Sequence, residues 1–291
     1  MNSNPLAEVF GYPISNRTTE AERYRKNKLC RFNNKVPSCT KDKANDPLGV
    51  CSILEAHKTI ITCPIRFREE WLIAGDAAQF FFGADSSWTS IAEVRLTDKE
   101  GNTAGNIDLV LVSYDDRGHV VDFGSLEIQA VYISGNIRRP FERYMSSRQR
   151  STDFSWDGPN FPKADFLSSS RKRLAPQMLY KGGILKAWKK KQAVALQTSF
   201  FETLPKLKEA SKAKADIAWL LYDLKLDKKS NQFKLTQNRI VYTEFESALM
   251  QITTTEPGKV EDFIDVLQQK LDEKLESNPP DAPTLTDITL S

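Results

Sequence analysis

Glu93, Asp108, Glu127 and Gln129 fall within residues 89–131, and their types and spacing are the part of this chain best suited to chemistry. Three carboxylates offer oxygen ligands only, a donor set that favours a hard divalent cation such as Mg²⁺ or Mn²⁺. Like charges set opposite one another destabilise a sheet, so a row of carboxylates points to a cation that offsets the repulsion. The competing reading is three ordinary charges on a solvated sheet face.

These residues need strands to position them. Residues 90–96, 106–114 and 120–133 alternate polar with apolar and are rich in Val, Ile and Leu, the period-2 pattern of a strand. Gly101 and Gly118 sit where two-residue hairpin turns centred on Glu100-Gly101 and Arg117-Gly118 need positive φ. That register sets Glu93 opposite Asp108 and Asp108 opposite Glu127. Gln129 and Asn106 then share their face, while Ile107, Leu109, Ile128 and Ala130 turn to a core. Ahead of the strands, Phe67, Trp71, Ala74, Ala78 and Phe82 recur at helical spacing over residues 65–82 and end at Gly83, so a helix is expected to pack on the apolar side.

Cys30, Cys39, Cys51 and Cys63 are the only cysteines, spaced C-x8-C-x11-C-x11-C. The polar segment between them is too poor in apolar residues to build its own core. Four thiolates around one Zn²⁺ or iron ion would supply that folding free energy; four separate buried thiols are the alternative. His57 lies among them and reads as an ordinary polar residue.

Gly-Asn-Ile-Asp108 followed by Leu-Glu127-Ile-Gln129 resembles the PD-(D/E)XK nuclease signature, with Ile107 in place of Pro and Gln129 in place of the final Lys. With the four cysteines and the run from Glu127 through Arg138-Arg139-Pro140-Phe141, the chain is similar to the NotI family of Type II restriction endonucleases, from about Cys30 to Tyr144 and less clearly beyond. The resemblance implies an α/β fold: a PD-(D/E)XK core with a mixed sheet flanked by helices, and an N-terminal four-cysteine metal-binding subdomain. It implies a structural metal at Cys30, Cys39, Cys51 and Cys63, iron by resemblance or zinc. It also implies a homodimer that cuts both strands of a palindromic, GC-rich duplex site, accompanied by a cognate DNA methyltransferase. Glu93, Asp108, Glu127 and Gln129 become the catalytic residues, with Mg²⁺ on Asp108 and Glu127. Hydrolysis would leave 5′-phosphate and 3′-hydroxyl ends. A lysine at position 129 would orient and help deprotonate the attacking water, whereas an amide only orients it.

The net charge of +3 conceals an asymmetry: residues 131–191 carry fourteen Lys or Arg against four Asp or Glu, a basic concentration of the kind a nucleic-acid face needs. Pro140 reads as the first residue of a helix. Arg138, Arg139, Arg143, Arg148 and Arg150, with Tyr144 beside them, are the candidate DNA contacts there, since a guanidinium grips phosphate or the O6/N7 edge of guanine. Arg171 and Arg173 continue this character into an amphipathic helix over 171–191, interrupted at Gly182-Gly183; residues 151–166 read as a loop. Residues 193–200, 215–226 and 232–244 read as strands that complete the sheet, and 260–275 as an acidic amphipathic helix.

The domain reading is therefore 1–64 for the cysteine module, 65–276 for the nuclease and DNA-recognition domain, and 277–291 for a disordered tail. No apolar run approaches ~18 residues and no signal peptide is evident, so a cytoplasmic protein with no membrane association is expected. The alternative function is a non-catalytic, metal-stabilised nucleic-acid-binding protein, which would bind in a salt-sensitive way and cut nothing.

Overall fold

The alternating runs do form strands, and the computed structural model, which describes residues 4–33, 36–43, 45–83, 86–146, 160–254 and 257–276, places them in a six-stranded mixed sheet. Strands β5 (Trp88–Thr97), β6 (Thr103–Tyr114) and β7 (Val120–Gln129) make an antiparallel meander. A helical crossover leads to β10 (Gln192–Gln197), parallel to β7, then to β11 (Ile217–Asp227), parallel to β10, and to antiparallel β12 (Gln232–Thr243). The order is β12-β11-β10-β7-β6-β5. Parallel neighbours require such a crossover. The central strands are covered on both faces, by Leu174 and Met178 of the crossover on one side and by residues 73–81 on the other: Val194 and Leu196 enter one core cluster while Ala193 and Ala195 enter another, which explains their continuous apolar sequence.

A second, four-stranded sheet comes from the N-terminal part of the chain, ordered β2 (Tyr12–Pro13), β1 (Leu6–Val9), β3 (Val50–Glu55), β4 (Lys58–Ile61). Leu6, Val9, Phe10, Val50, Ile53 and Ile60 join the same core cluster as Trp219 and Phe200. The segment read as lacking a core of its own is thus packed into a shared one. Helix α1 (Thr19–Lys26) begins at Thr18, whose hydroxyl accepts the Ala21 N–H, a capping role that suits Thr. A short ladder of β8 (Tyr132–Ser134) with β9 (Lys163–Asp165) replaces the expected extension of the third strand to residue 133. Contacts group residues up to Thr253 into one unit. The second unit contains the helix Val260–Glu276, which exposes Val260, Phe263, Ile264, Leu267, Leu271 and Leu275. Among the described residues no helix is long and apolar enough to cross a membrane.

Both meander turns differ from the expected two-residue form, yet the register is the expected one. Asp98 and Asn102 flank a three-residue loop, with Gly101 at φ 83°; Asp98 Oδ1 accepts the N–H groups of Glu100 (2.9 Å) and Asn102 (2.8 Å). Asp115 does the same for Arg117 and His119, with Gly118 at φ 80°. These are type I turns completed by a left-handed glycine. Each shifts the pairing by one residue, and a bulge shifts it back: Thr97 faces Thr103 but Leu96 faces Gly105, and Tyr114 faces Val120 but Ser113 faces Asp122. Beyond the bulges Ala92 faces Leu109 and Leu109 faces Leu126.

The β3–β4 hairpin instead closes with Ala56 at φ 45° and His57 at φ 65°, between paired Glu55 and Lys58. Left-handed backbone penalises residues with a Cβ, so Ala56→Asn with His57→Gly is expected to stabilise the protein by about 1 kcal/mol, read as a higher unfolding midpoint. His57 is exposed at this turn.

The helix expected over 65–82 is split. A 3₁₀ stretch, Pro64–Trp71, ends in left-handed Glu70 (φ 51°) and Trp71 (φ 55°) before helix α2 (Leu72–Phe81) begins. The break lets Glu69 accept hydrogen bonds from Arg66 (2.8 Å) and from the backbone N–H of Leu235 in β12. Helix α2 does pack on the expected side, where Ala74, Ala77, Ala78 and Phe81 meet Leu109, Leu111, Leu126 and Ile128. Ile107 is buried elsewhere, with Leu96, Val110 and Val112.

Candidate catalytic site

The site sits where the β6–β7 ladder gives way. The last ladder pair is Leu109 with Leu126; at the next position the Asp108 carboxylate accepts the backbone N–H of Ile128 at 2.8 Å. On its other side β7 stays paired with β10, Glu127 opposite Val194 and Gln129 opposite Leu196. A carboxylate has taken the place of a backbone carbonyl, leaving Asp108 and Glu127 side by side at a notch in an otherwise hydrogen-bonded sheet.

Their environment disfavours charge. Glu127 is 1% exposed, and burial, reinforced by the Asp108 charge, pushes its carboxyl up to about 7, against the opposing pull of Lys181. Burial also raises Asp108, opposed by the Ile128 N–H and by the charges of Lys181 and Arg68. Two neighbouring carboxylates held out of water repel one another and each resists ionisation. Glu127 Oε1 is buried and receives no hydrogen bond. A buried oxygen without a donor, beside a second carboxylate, suits a hard cation.

Glu93 keeps its place in register next to Asp108, but it is exposed and its backbone is left-handed at φ 58°. Among the described residues no group of three His, Cys, Asp or Glu is poised to hold a metal ion. The expected row of three acids therefore reduces to a buried pair, with Glu93 exposed on the neighbouring strand. Gln129, 4% exposed, donates its amide to Gln177.

Gln177 and Lys181 come from the helix expected over 171–191 as an amphipathic one, with Lys181 among its basic residues. Residues 166–187 run as one helix with two π-turn stretches, Ser170–Leu174 and Met178–Gly182; it is widened, not broken, at Gly182. Such turns concentrate at functional sites. Lys181 donates to Glu127 Oε2 at 2.7 Å and to the Asn106 carbonyl at 2.7 Å, and is 3% exposed. The signal was in the spacing: Leu174, Met178, Lys181 and Leu185 form one buried stripe, so a lysine occupies a core position of an amphipathic helix.

Gly182 locks this helix in place, because a Cβ there would lie 2.5 Å from the Phe245 ring. For Gly182→Ala, overpacking of about 1–3 kcal/mol outweighs the ~1 kcal/mol gain in helix propensity. A lower melting temperature is expected, and a gain in stability would show that Phe245 yields freely.

The proposed DNA-contacting arginines separate into different settings. Arg138 is held by Asp42 and Asp46, each at 2.6 Å. Arg139 and Arg143 are exposed on helix α3 (Arg138–Ser146). That helix starts two residues before Pro140, and its Arg139 N–H is capped by Asn136. Tyr144 is not on the surface: it is fully buried, donates to the Ile14 carbonyl and lies under Arg25. Arg171 is exposed, while Arg173 stacks 4.1 Å over the Tyr132 ring and donates to its hydroxyl. Arg148, Arg150, most of the 151–166 loop and the 277–291 tail lie outside the described residues. A cleft of about 580 Å³ runs between Lys41, Asp42, Tyr132, Arg138 and Arg173, just beyond the end of β7.

All four cysteines line one small cavity with Phe10, Phe32 and Arg66. Their thiols are reduced and do not form a metal-ligating group as placed. Burial, with the other thiols nearby, raises Cys51 well above the ordinary thiol range.

No curated protein matches the chain. A family model described as restriction endonuclease NotI matches residues 8–235, a span that holds the carboxylate pair, Gln129, Lys181 and the four cysteines. With most of its 291 residues matched in this way, the chain belongs to the NotI family of restriction endonucleases.

Proposed function

We propose that the protein is a Type II site-specific endonuclease that hydrolyses both strands of a palindromic, GC-rich duplex DNA, with Asp108 and Glu127 as the centre of a divergent PD-(D/E)XK site. The observation that carries this reading is the buried Asp108–Glu127 pair with its undonated Glu127 Oε1. These two residues would hold Mg²⁺, and Glu93 would hold a second ion or its water. Bound there, the ion would polarise the scissile phosphate and acidify a water.

The chain's own groups do the rest. Gln129, fixed by Gln177, orients the attacking water. The water oxygen bonds to phosphorus as the P–O3′ bond breaks; the water gives up a proton to solvent and the 3′ oxygen takes one. The ends are 5′-phosphate and 3′-hydroxyl. Arg139, Arg143, Arg148, Arg150 and Arg171 contact the duplex, while Arg138 and Arg173 shape the adjoining cleft. The fold alone would not select this substrate; the basic concentration over 131–191 supports it.

Residues 1–64 serve as the scaffold for the nuclease domain. The four cysteines would hold a structural iron or zinc ion there, because four thiols already face one cavity; ligation would require them to close in and lose their protons. A homodimer would match a two-fold DNA site. A cognate methyltransferase and a cytoplasmic setting complete the proposal.

The test is digestion of methylation-free, fully sequenced DNA with and without Mg²⁺, with the fragment ends sequenced. Discrete Mg²⁺-dependent fragments support the reading and give the site. Salt-sensitive binding without cleavage by folded protein would replace it with a non-catalytic nucleic-acid-binding role.

A further inference from the structure

We propose that Lys181 is the cationic member of the catalytic centre, brought in by the 166–187 helix to supply the positive charge that Gln129 lacks on the strand. The inference rests on the endonuclease reading and assigns a residue to it.

Three observations converge on this role. The first is cost. Lys181 and Glu127 are 3% and 1% exposed, and burying two ions carries a desolvation penalty that a hydrophobic pair of like volume avoids. Leu174, Met178 and Leu185 fill the other positions of the same stripe, so a fourth apolar side chain would serve packing better than an ammonium.

The second is incomplete satisfaction. Lys181 engages only Oε2 of Glu127, leaving Oε1 buried and without a donor. A purely structural partner would be expected to satisfy the carboxylate. Here it orients it, fixing one oxygen and leaving the other beside Asp108. An ammonium has three N–H donors. Two go to Glu127 and the Asn106 carbonyl, and the third remains for a water or a phosphate oxygen.

The third is the pairing of strand and helix. Gln129 and Glu127, two residues apart on β7, meet Gln177 and Lys181, four apart on the helix. The amide at 129 is therefore held by the same element that delivers the charge. Lys181 acts as a fixed hydrogen-bond donor and positive charge toward the phosphorane-like transition state, with no proton transferred.

The experiment compares wild type, Lys181→Met and the double variant Gln129→Lys/Lys181→Met. Single-turnover cleavage is measured in Mg²⁺, DNA affinity in Ca²⁺, and melting temperature without divalent metal. Loss of one preorganised donor is expected to slow Lys181→Met cleavage by roughly 10²–10³-fold, with DNA affinity changed by no more than about 3-fold. The double variant, which returns a lysine from the strand, is expected to recover at least ~10-fold. If Lys181→Met does not fold, Lys181→Gln, which keeps a donor for the Asn106 carbonyl, takes its place. Cleavage within ~3-fold of wild type would overturn the assignment while leaving the endonuclease reading intact. So would a loss that follows DNA affinity and is not recovered by the second lysine. A wild-type protein that cuts nothing would overturn both.

Discussion

Asp108→Asn is expected to abolish Mg²⁺-dependent cleavage while leaving the metal-free protein as stable as wild type, or more so. The amide oxygen can still accept the Ile128 N–H that the carboxylate accepts at 2.8 Å, so the local backbone keeps its partner. What disappears is a negative charge beside Glu127, and with it the repulsion that helps hold Glu127 near 7. Removing one of two anionic ligands should cost about 4 kcal/mol of transition-state stabilisation, close to 10³-fold in rate. Single-turnover cleavage and a melt without metal measure the two halves separately. An active Asp108→Asn would sink the catalytic assignment. A melting temperature many degrees lower would make the pair a structural element. The opposite signs expected for activity and stability are the mark of a site kept for chemistry.

Arg66→Met should be the most destabilising single change in the described structure. Arg66 is fully buried, donates to both Glu8 oxygens (3.1 and 3.0 Å), to Glu69 (2.8 Å) and to the Phe233 carbonyl (3.0 Å), and lies over the Phe32 ring. The Glu8 and Glu69 charges hold its pKa above the ordinary arginine range despite burial. This one side chain ties β1, the turn before α2 and β12 together. Among the described residues, its removal leaves two buried carboxylates with Ser52 and the Leu235 N–H as hydrogen-bond donors and, as the remaining cation, Lys234 at 3.9 Å from Glu69. Breaking a buried ion network from one side costs about 3–5 kcal/mol, or roughly 6–20 °C in melting temperature for a domain of this size. The triple variant Glu8→Gln/Arg66→Met/Glu69→Gln should recover much of the loss, since no charge is then stranded. A loss below about 1 kcal/mol for Arg66→Met would show that water reaches the carboxylates.

What the sequence by itself determined was local and periodic. Alternation placed the meander, and a short continuous apolar run placed the later strand over 217–227, which is buried on both faces over residues 217–222. The Asp108–Glu127 pairing followed although both turns were misread as two-residue loops. Each three-residue loop moved the register by one and each bulge moved it back, a cancellation that no count of residues in the turn displays. The helix start at Thr18 is local in the same sense, since a cap depends on a few adjacent residues.

Only the tertiary structure decided matters of long range. Glu69 leaves a helical run because Arg66 and β12 offer its carboxylate partners that neighbours in sequence cannot supply. Tyr144, read as part of an arginine face, turns inward to the Ile14 carbonyl. Arg138 answers to two aspartates of the cysteine loop. Lys181 lies 54 residues from Glu127 in the chain, and its helix shows one basic residue among many until packing reveals which one faces inward. Sequence periodicity reports how an element divides its faces between core and solvent. Which distant charge meets a buried carboxylate is settled by how the elements pack, where desolvation makes one contact outweigh the rest.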